Sequence, residues 1–311
     1  MKSTIKKIAI IGSGVIGSGW AIRLLAYNKI VNIYDPKKTQ QIFLKSEIKR
    51  IPQSVLKFYK IKKLNLKNLH FKNSIKDAVK DVDLIQENTP ENIKIKKKVV
   101  MEISKWAKNN SIIASSSSGL LPTKIQNACI NPERFIIAHP FNPVYLLPLL
   151  ELVKGEKTKK NTIKKSELFY KSIGMNTLLL KNEIEGYLSD RLQESMWRES
   201  LHILNKNLAN TEDLDKAITQ GPGMRWALMG PFLTFYLAGG KLGMKHYIEQ
   251  FGPALKLPWT NLKAPNLTNN LKNKMIKGTN KQSGQKTIKQ LTTIRDNFLV
   301  DLIKLKNKYK I

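Results

Sequence analysis

Residues 5–17 read Ile-Lys-Lys-Ile-Ala-Ile-Ile-Gly-Ser-Gly-Val-Ile-Gly, and this stretch does most to decide the fold. Its first seven residues are a β-branched run that predicts a short strand. Gly12, Gly14 and Gly17 then fit the spacing G-x-G-x-x-G, and the nine residues that follow have the apolar spacing of a helix. The sequence therefore predicts a strand, a tight glycine loop and a helix in succession.

The three glycines have separate physical roles in such a unit. Gly12 permits the tight turn, Gly14 lets the backbone approach a pyrophosphate, and Gly17 allows the helix to pack closely on the strand. The free N–H groups and the dipole at the start of the helix then face the phosphates. The predicted cofactor-binding loop comprises Gly12, Ser13, Gly14, Val15, Ile16 and Gly17.

Asp35 completes the cofactor signature. A second predicted strand, residues 30–34, ends in this acid, 18 residues after Gly17. A carboxylate at the tip of that strand can bind the ribose hydroxyls, and it repels the extra phosphate of NADP. Asp35 could instead be only a turn former before Pro36. The order of strand, glycine loop, helix, strand and acid favours NAD.

The rest of the first half alternates short strands with helices. Residues 37–72 are Lys-rich and predict helix, and residues 93–108 and 159–173 predict two more helices. Predicted strands follow the same alternation at residues 82–85, 112–115, 134–138, 149–153 and 175–180. This pattern is typical of an α/β fold with a doubly wound, mostly parallel sheet.

The second part of the chain reads as all-helical. Residues 184–208 predict a long amphipathic helix, and residues 211–220 predict a shorter one with Thr211 as its N-cap. The predicted domains are therefore a Rossmann-type NAD-binding domain over residues 1–182 and a helical domain over residues 183–311. Apolar helices of such domains often form dimer contacts, so we expect a homodimer in which the helical domain serves substrate binding and dimerisation.

His139 and Glu151 are the candidate catalytic pair. His139 follows a predicted strand, and the next strand could bring Glu151 back behind the imidazole. A carboxylate in that position fixes the tautomer and stabilises the imidazolium, which suits a general base. An isolated histidine is more often a core residue that a backbone carbonyl satisfies, but the cofactor signature upstream favours catalysis for His139.

Composition limits the other functions. The formal net charge is +31, yet only seven of the 54 basic residues are arginine. A dedicated nucleic-acid reader uses more arginine forks and interleaved aromatics, so a lysine-rich solvated surface is expected instead, without a specific nucleic-acid partner. The single cysteine, Cys129, fits a reducing cytoplasm, and no apolar run reaches the roughly 18 residues of a membrane span. No metal site is predicted.

Taken together, these residues resemble the L-3-hydroxyacyl-CoA dehydrogenase superfamily over nearly the full chain. The resemblance implies that His139 and Glu151 form the catalytic pair and that Ser118 contacts the substrate. It also implies that Glu91 and Lys96 lie in the cofactor loop. From the residues alone, Ser118 could as well cap the next helix, and both charges could simply be solvated.

Within the superfamily, the closer resemblance is to the carnitine dehydrogenase branch. It rests on residues 117–123, 139–149, 223–234 and 251–260. The resemblance implies NAD-dependent oxidation of the 3-hydroxyl of L-carnitine. Arg225, where the acyl-CoA enzymes carry Tyr-Pro, is expected to bind a substrate carboxylate, and Asp190 stands where those enzymes have Asn. The predicted substrate-contacting residues are Phe141, Asn142, Asp190, Trp197, Arg225 and Trp226.

Other functions stay open at this stage. The chain could oxidise another 3-hydroxy acid, such as gulonate or 3-hydroxybutyrate, or an L-3-hydroxyacyl-CoA. It could also be a catalytically silent structural protein of the λ-crystallin kind. A substrate panel with NAD separates these possibilities.

Overall fold

The computed structural model describes residues 3–309. Within that range the chain divides into two compact units. The first unit extends to Asp190 and also takes in Arg295–Val300, and the second comprises Arg191–Ile294 and the residues from Asp301 onward. The boundary after residue 182 stays a prediction. None of the helices between residues 3 and 309 is long and apolar enough to cross a membrane.

The strands between residues 3 and 309 are β1 Lys7–Ile11, β2 Ile30–Tyr34, β3 Leu69–Phe71, β4 Leu84–Glu87, β5 Ile112–Ser115, β6 Phe135–Pro140, β7 Leu149–Val153 and β8 Asn176–Leu179. The helices are α1 Val15–Ala26, α2 Thr39–Arg50, α3 Gln53–Phe58, α4 Ile75–Val79, α5 Ile93–Trp106, α6 Pro122–Gln126, α7 Lys160–Ser172, α8 Ser189–Asn205, α9 Thr211–Thr219, α10 Pro222–Trp226, α11 Pro231–Ala238, α12 Met244–Phe251, α13 Asn269–Ser283 and α14 Ile288–Lys306. Single 3-10 turns lie at Leu66–Asn68, Pro132–Arg134, Gly240–Leu242 and Gly252–Lys256.

All the strands described for residues 3–309 form one sheet in the order β3-β2-β1-β4-β5-β6-β7-β8. Every neighbouring pair is parallel except β6 and β7, which form an antiparallel hairpin. The central strands β4, β5 and β6 are buried along their whole length, as expected for a parallel sheet covered on both faces. The predicted α/β class with a doubly wound, mostly parallel sheet and a helical second part is confirmed.

The strand order places the functional residues at one edge. From β1 the chain adds β2 and β3 on one side of the sheet, and then β4 and the later strands on the other side. Open α/β sheets bind ligands at such a switch point, beyond the carboxyl ends of the strands. Gly12 follows β1, Asp35 follows β2, Asn88 follows β4 and Ser116 follows β5. Residues far apart in sequence therefore meet beside the glycine loop.

Gly17 sets how closely α1 packs on the sheet. A Cβ at this position would stand 2.0 Å from the carbonyl oxygen of Gly12, so a side chain would force the helix away from the loop. Gly12 itself has φ +89°, a left-handed conformation that favours glycine. Both glycines are thus required by the local geometry.

The structure of residues 37–72 differs from the helix predicted there. It contains α2 and α3, but it ends in the edge strand β3, which pairs with β2. Pro52 stops α2 because the residue before a proline disfavours the helical conformation, and Lys60 leaves α3 with a φ of +58°. The three residues of β3 are too few to show a strand period among so many lysines.

Helix α9 of the second unit begins with a side-chain cap. At the start of α9, the side chain of Asn210 accepts a hydrogen bond from the backbone N–H of Asp213, and the Asp213 carboxylate accepts one from Asn210 N–H. The prediction of Thr211 as N-cap is therefore wrong by one residue. Thr211 is the first helical residue, because Asn210 has the extended backbone that a cap requires.

Candidate active site

A groove of about 690 Å³ runs along the carboxyl edge of β1 and β2. Gly12, Gly14 and Asp35 are among the residues that line it. A Cβ at Gly14 would meet no atom within 4 Å, so the loop leaves open space above it. Among the described residues no side chain caps the start of α1, so its first N–H groups are available to an anion.

Asp35 links the glycine loop after β1 to the turn after β2. Its Oδ2 accepts a hydrogen bond from the backbone N–H of Ser13 at 2.8 Å, and its Oδ1 accepts one from Lys37 N–H at 2.9 Å. Each carboxylate oxygen can accept more than one hydrogen bond, so capacity remains for ribose hydroxyls. The carboxylate is held at the position where a dinucleotide ribose is expected.

These residues fit NAD. The uncapped helix start and the open space at Gly14 match a pyrophosphate, and the fixed carboxylate of Asp35 matches a ribose diol. Ile75 and Val99 give the groove an apolar wall that suits an adenine ring. The donor set therefore agrees with the cofactor predicted from the sequence.

His139 and Glu151 lie side by side on the β6–β7 hairpin. They are directly paired residues of the two strands, and His139 Nδ1 is 3.0 Å from Glu151 Oε2. Both side chains are buried. Since the carboxylate accepts the Nδ1 proton, the lone pair of the neutral ring is at Nε2. The structure thus has the arrangement that an oriented general base requires.

The second oxygen of Glu151 binds the start of α8. Oε1 accepts hydrogen bonds from the backbone N–H groups of Leu188 and Ser189, at 3.1 and 2.9 Å, and from Ser189 Oγ at 3.1 Å. Burial alone would raise the pKa of Glu151, but the hydrogen bonds from His139, Ser189 and Leu188 outweigh it and lower that pKa. Glu151 is therefore held as a carboxylate with all its donors placed.

Leu188 and Ser189 were not predicted as site residues. Serine directly before a helical pattern is a recognisable N-terminal signal, so Ser189 could have been found as a helix start. Its link to Glu151 spans 38 residues, and no local pattern indicates it.

Three groups surround the imidazole on its other sides. Asp190 Oδ2 lies 3.7 Å from His139 Nε2. The rings of Phe141 and Tyr187 lie 4.8 and 5.5 Å from the His139 ring, in edge-to-face arrangements. Asp190 is thus beside the nitrogen that faces away from Glu151, and Phe141 contacts the ring. Tyr187 was not predicted as a site residue.

Ser118 lies in a loop that Glu91 holds. The backbone N–H of Ser118 donates to Glu91 Oε1 at 3.1 Å, and the side chain of Ser118 is exposed. Lys96 is buried, at 1% exposure, between Glu87 and Glu91. The alternative that Lys96 is a solvated charge is wrong, because the surrounding carboxylates and strands remove it from water.

The remaining predicted residues lie on other elements of the chain. Asn142 is exposed in the turn after β6 and precedes Pro143 through a cis peptide bond. Trp197 lies on α8, and Arg225 and Trp226 lie on α10, all in the second unit. Their contacts with a substrate stay predictions. Within residues 3–309, no group of three or more His, Cys, Asp or Glu side chains is placed to hold a metal ion.

Two family descriptions match the chain in succession. Residues 7–184 match the NAD-binding domain of 3-hydroxyacyl-CoA dehydrogenase, and residues 186–284 match its C-terminal domain. The two matches cover most of the chain and the cofactor groove lies in the first of them.

Curated relatives and a solved structure resemble the chain over almost its whole length. An L-carnitine dehydrogenase from Bacillus cereus is 48% identical over 99% of this chain and 94% of its own length. An L-carnitine dehydrogenase from Oceanobacillus iheyensis is 47% identical over 98% and 99%. The crystal structure of 5-formyl-3-hydroxy-2-methylpyridine 4-carboxylic acid 5-dehydrogenase, an NAD+-dependent dismutase, has a TM-score of 0.82 at 28% identity, covering 99% of this chain and 100% of that one.

Proposed function

The chain belongs to the 3-hydroxyacyl-CoA dehydrogenase family, and from this premise we propose that it oxidises the 3-hydroxyl of L-carnitine to 3-dehydrocarnitine with NAD as the acceptor. The observation that carries the substrate assignment is the 47–48% identity, over nearly the full chain, to relatives named L-carnitine dehydrogenase. The buried His139–Glu151 pair beside the cofactor-binding edge supplies the acid–base chemistry that this oxidation needs.

His139 acts as the general base in this proposal. Its Nδ1–H donates to Glu151, so the lone pair of Nε2 is free to take the proton of the substrate hydroxyl. The imidazolium formed is stabilised by the carboxylate of Glu151, which the N-terminus of α8 holds in place. The glycine loop and Asp35 would hold NAD, which would supply the acceptor for the hydride of C3. Ser118 would donate a hydrogen bond to the substrate oxygen.

Asp190 supports a cationic substrate. Its carboxylate lies 3.7 Å from His139 Nε2, so any substrate whose hydroxyl meets this nitrogen brings its neighbouring atoms close to a negative charge. In L-carnitine the trimethylammonium group is only one carbon away from the reacting C3. A quaternary ammonium cannot donate hydrogen bonds, and a carboxylate with an aromatic face such as Phe141 provides the electrostatic attraction instead.

Arg225 is proposed to bind the carboxylate of the substrate. Its guanidinium can form a charge-assisted pair that a neutral thioester would not use. Arg225→Ala should therefore raise KM for L-carnitine while kcat changes little, because the contact is equally present in the ground state and the transition state. An unchanged KM would remove Arg225 from this role.

A substrate panel tests the proposed function. The purified protein is incubated with NAD and with L-carnitine, D-carnitine, gulonate, 3-hydroxybutyrate or (S)-3-hydroxybutyryl-CoA, and NADH formation is followed by its absorbance. We expect kcat/KM for L-carnitine to exceed the others by about a hundredfold or more. His139→Ala, assayed alongside, shows that the activity is this protein's. A higher kcat/KM for another compound would overturn the substrate assignment, and no turnover of any compound would favour a structural protein.

We also propose that the enzyme is a homodimer. The second unit exposes many large apolar side chains, among them Phe232, Leu255 and Trp259 at 82%, 90% and 70% exposure. So many large apolar side chains left exposed in one unit indicate an interaction surface. Light scattering coupled to size exclusion should give twice the 35.5 kDa mass of one chain, and a monomer mass at micromolar concentration would contradict the proposal.

A further inference from the structure

Four donors of the serine loop, residues 116–121, converge on one carboxylate oxygen, Oε1 of Glu91. Glu91 Oε1 accepts hydrogen bonds from the backbone N–H groups of Ser118 and Gly119 at 3.1 Å each and from that of Leu120 at 3.4 Å. It also accepts one from Ser117 Oγ at 2.6 Å. Consecutive N–H groups that converge on one point form an anion-binding concavity, and here the anion is a side chain of the same chain.

The other oxygen of Glu91 is held from the opposite side. Oε2 lies 3.5 Å from Lys96 Nζ, and the same ammonium lies 3.1 Å from Glu87 Oε1 and donates to the Thr89 carbonyl at 3.0 Å. Glu87 is fully buried and also accepts a hydrogen bond from Ser115 Oγ. Because the ammonium is fixed on β4 and α5, Glu91 has little freedom to move relative to the sheet.

Tyr187 connects the serine loop to His139. Tyr187 Oη donates to the Leu120 carbonyl at 2.8 Å, and the Tyr187 ring lies 5.5 Å from the His139 ring. The Gly186 N–H donates to the Gly119 carbonyl at 3.2 Å. A shift of the loop would therefore change the position of Ser118 relative to His139.

We propose that Glu91 is a positioning residue that fixes the serine loop and, through it, Ser118 against the reacting oxygen of the substrate. This inference rests on the proposed function in one respect, that Ser118 contacts the substrate. It departs from the family resemblance, which assigns Glu91 to the cofactor loop. All four donors at Oε1 belong to the serine loop, so the loss of Glu91 should disturb substrate alignment before cofactor affinity.

A double-mutant cycle tests the proposal. Glu91→Ala, Glu91→Gln, Ser118→Ala and the Glu91→Ala/Ser118→Ala double variant are compared with the wild type. Glu102→Ala serves as control, since it removes an exposed acid from α5 without touching the loop. The substrate is whichever compound gives the highest kcat/KM in the panel, so a wrong substrate assignment leaves this test intact.

We expect Glu91→Ala to lower kcat/KM by about 10- to 100-fold, because small misplacements of a positioned group are costly. In the Ser118→Ala background the same change should cost less than about threefold, since coupled residues are not additive. Glu91→Gln keeps an oxygen for the loop but loses the pairing with Lys96, so it should fall between wild type and Glu91→Ala. The dissociation constant for NADH, titrated by fluorescence, should stay within about threefold of the wild type.

A second measurement does not depend on turnover. Hydrogen exchange of the amides of Ser118, Gly119 and Leu120 should accelerate in Glu91→Ala by about tenfold or more, while the amides of β5 keep their protection. Three results would each overturn the proposal. The first is that the effects of the Glu91 and Ser118 substitutions on kcat/KM multiply, and the second is that hydrogen exchange in the loop is unchanged. The third is that Glu91→Ala binds NADH tenfold more weakly while kcat/KM for the substrate is unchanged.

Discussion

Replacing Glu151 with Gln should disable the base while leaving the fold intact. The Oε1 side of Glu151 meets the N–H groups of Leu188 and Ser189 and the hydroxyl of Ser189, and the Oε2 side meets His139 Nδ1. A glutamine has one acceptor oxygen, and the backbone donors cannot become acceptors. The amide oxygen should therefore face α8, and the NH2 group should face Nδ1.

This orientation reverses the histidine tautomer. Nδ1 must then accept a hydrogen bond, so the ring proton moves to Nε2, and that nitrogen can no longer take a proton from the substrate. The equivalent acid-to-amide change behind the histidine of a serine protease lowers kcat by about 10⁴-fold. We expect a loss of about 10³- to 10⁴-fold for Glu151→Gln, which corresponds to about 4 to 5.5 kcal/mol of transition-state stabilisation.

Stability should change much less than activity. The donors at the start of α8 keep an acceptor, so no buried N–H group is left unsatisfied, and the expected cost is about 1.5 to 3 kcal/mol for the lost charge-assisted bond. Glu151→Ala should be clearly less stable, since it leaves those buried donors without an acceptor. The comparison of the two variants separates the catalytic role of the carboxylate from its structural role.

The assay measures kcat and KM with NAD in excess and, on the same samples, Tm by circular dichroism. Glu156→Gln is the matched control, because Glu156 is an exposed acid that closely follows β7. It should leave kcat within about twofold of the wild type. If Glu151→Gln also retained kcat within about threefold of the wild type, the orienting role of Glu151 would be refuted.

Further predictions concern the cofactor loop and pH. Gly14→Ala should fold with an unchanged Tm and bind NAD at least about tenfold more weakly. Gly17→Ala should lower Tm, because its Cβ would stand 2.0 Å from the Gly12 carbonyl oxygen. Calorimetry measures the Tm of both variants, and titration with NAD measures their affinity. Asp35→Ala should lower the ratio of the dissociation constant for NADP to that for NAD by about tenfold or more. If this ratio is unchanged, Asp35 does not bind the ribose. The folded pKa of Glu151 lies below its ordinary value of 4.5, so its contribution to stability is present above pH 4.5 and is lost as pH falls through the folded pKa. The free energy of unfolding of the wild type should therefore decrease more steeply below pH 4.5 than that of Glu151→Gln, and parallel curves in urea titrations would contradict this.

Much of the fold could be predicted from neighbouring residues. The strands β2, β5 and β7 were predicted with the bounds that the structure has, because short apolar runs between helical patterns carry a local signal. The strand β3 was missed, since three residues are too few to show a period. The positions of Gly12 and Gly17 were predictable for the same local reason, as turn chemistry depends on the spacing of a few residues.

In the candidate site, too, some features could be predicted from the sequence and others depend on the tertiary structure. By themselves, the residues of the sequence determine the glycine loop, the acid at the tip of β2, and a histidine and an acid on consecutive strands that a hairpin can bring together. Only the tertiary structure decides that Glu151 also caps α8 and that Glu91 holds the serine loop. These contacts join residues 26 to 38 positions apart, at places where separate elements end at one edge of the sheet. A carboxylate binds whichever N–H groups the packing brings within reach, and packing depends on the whole chain, so no local pattern of residues encodes the partner.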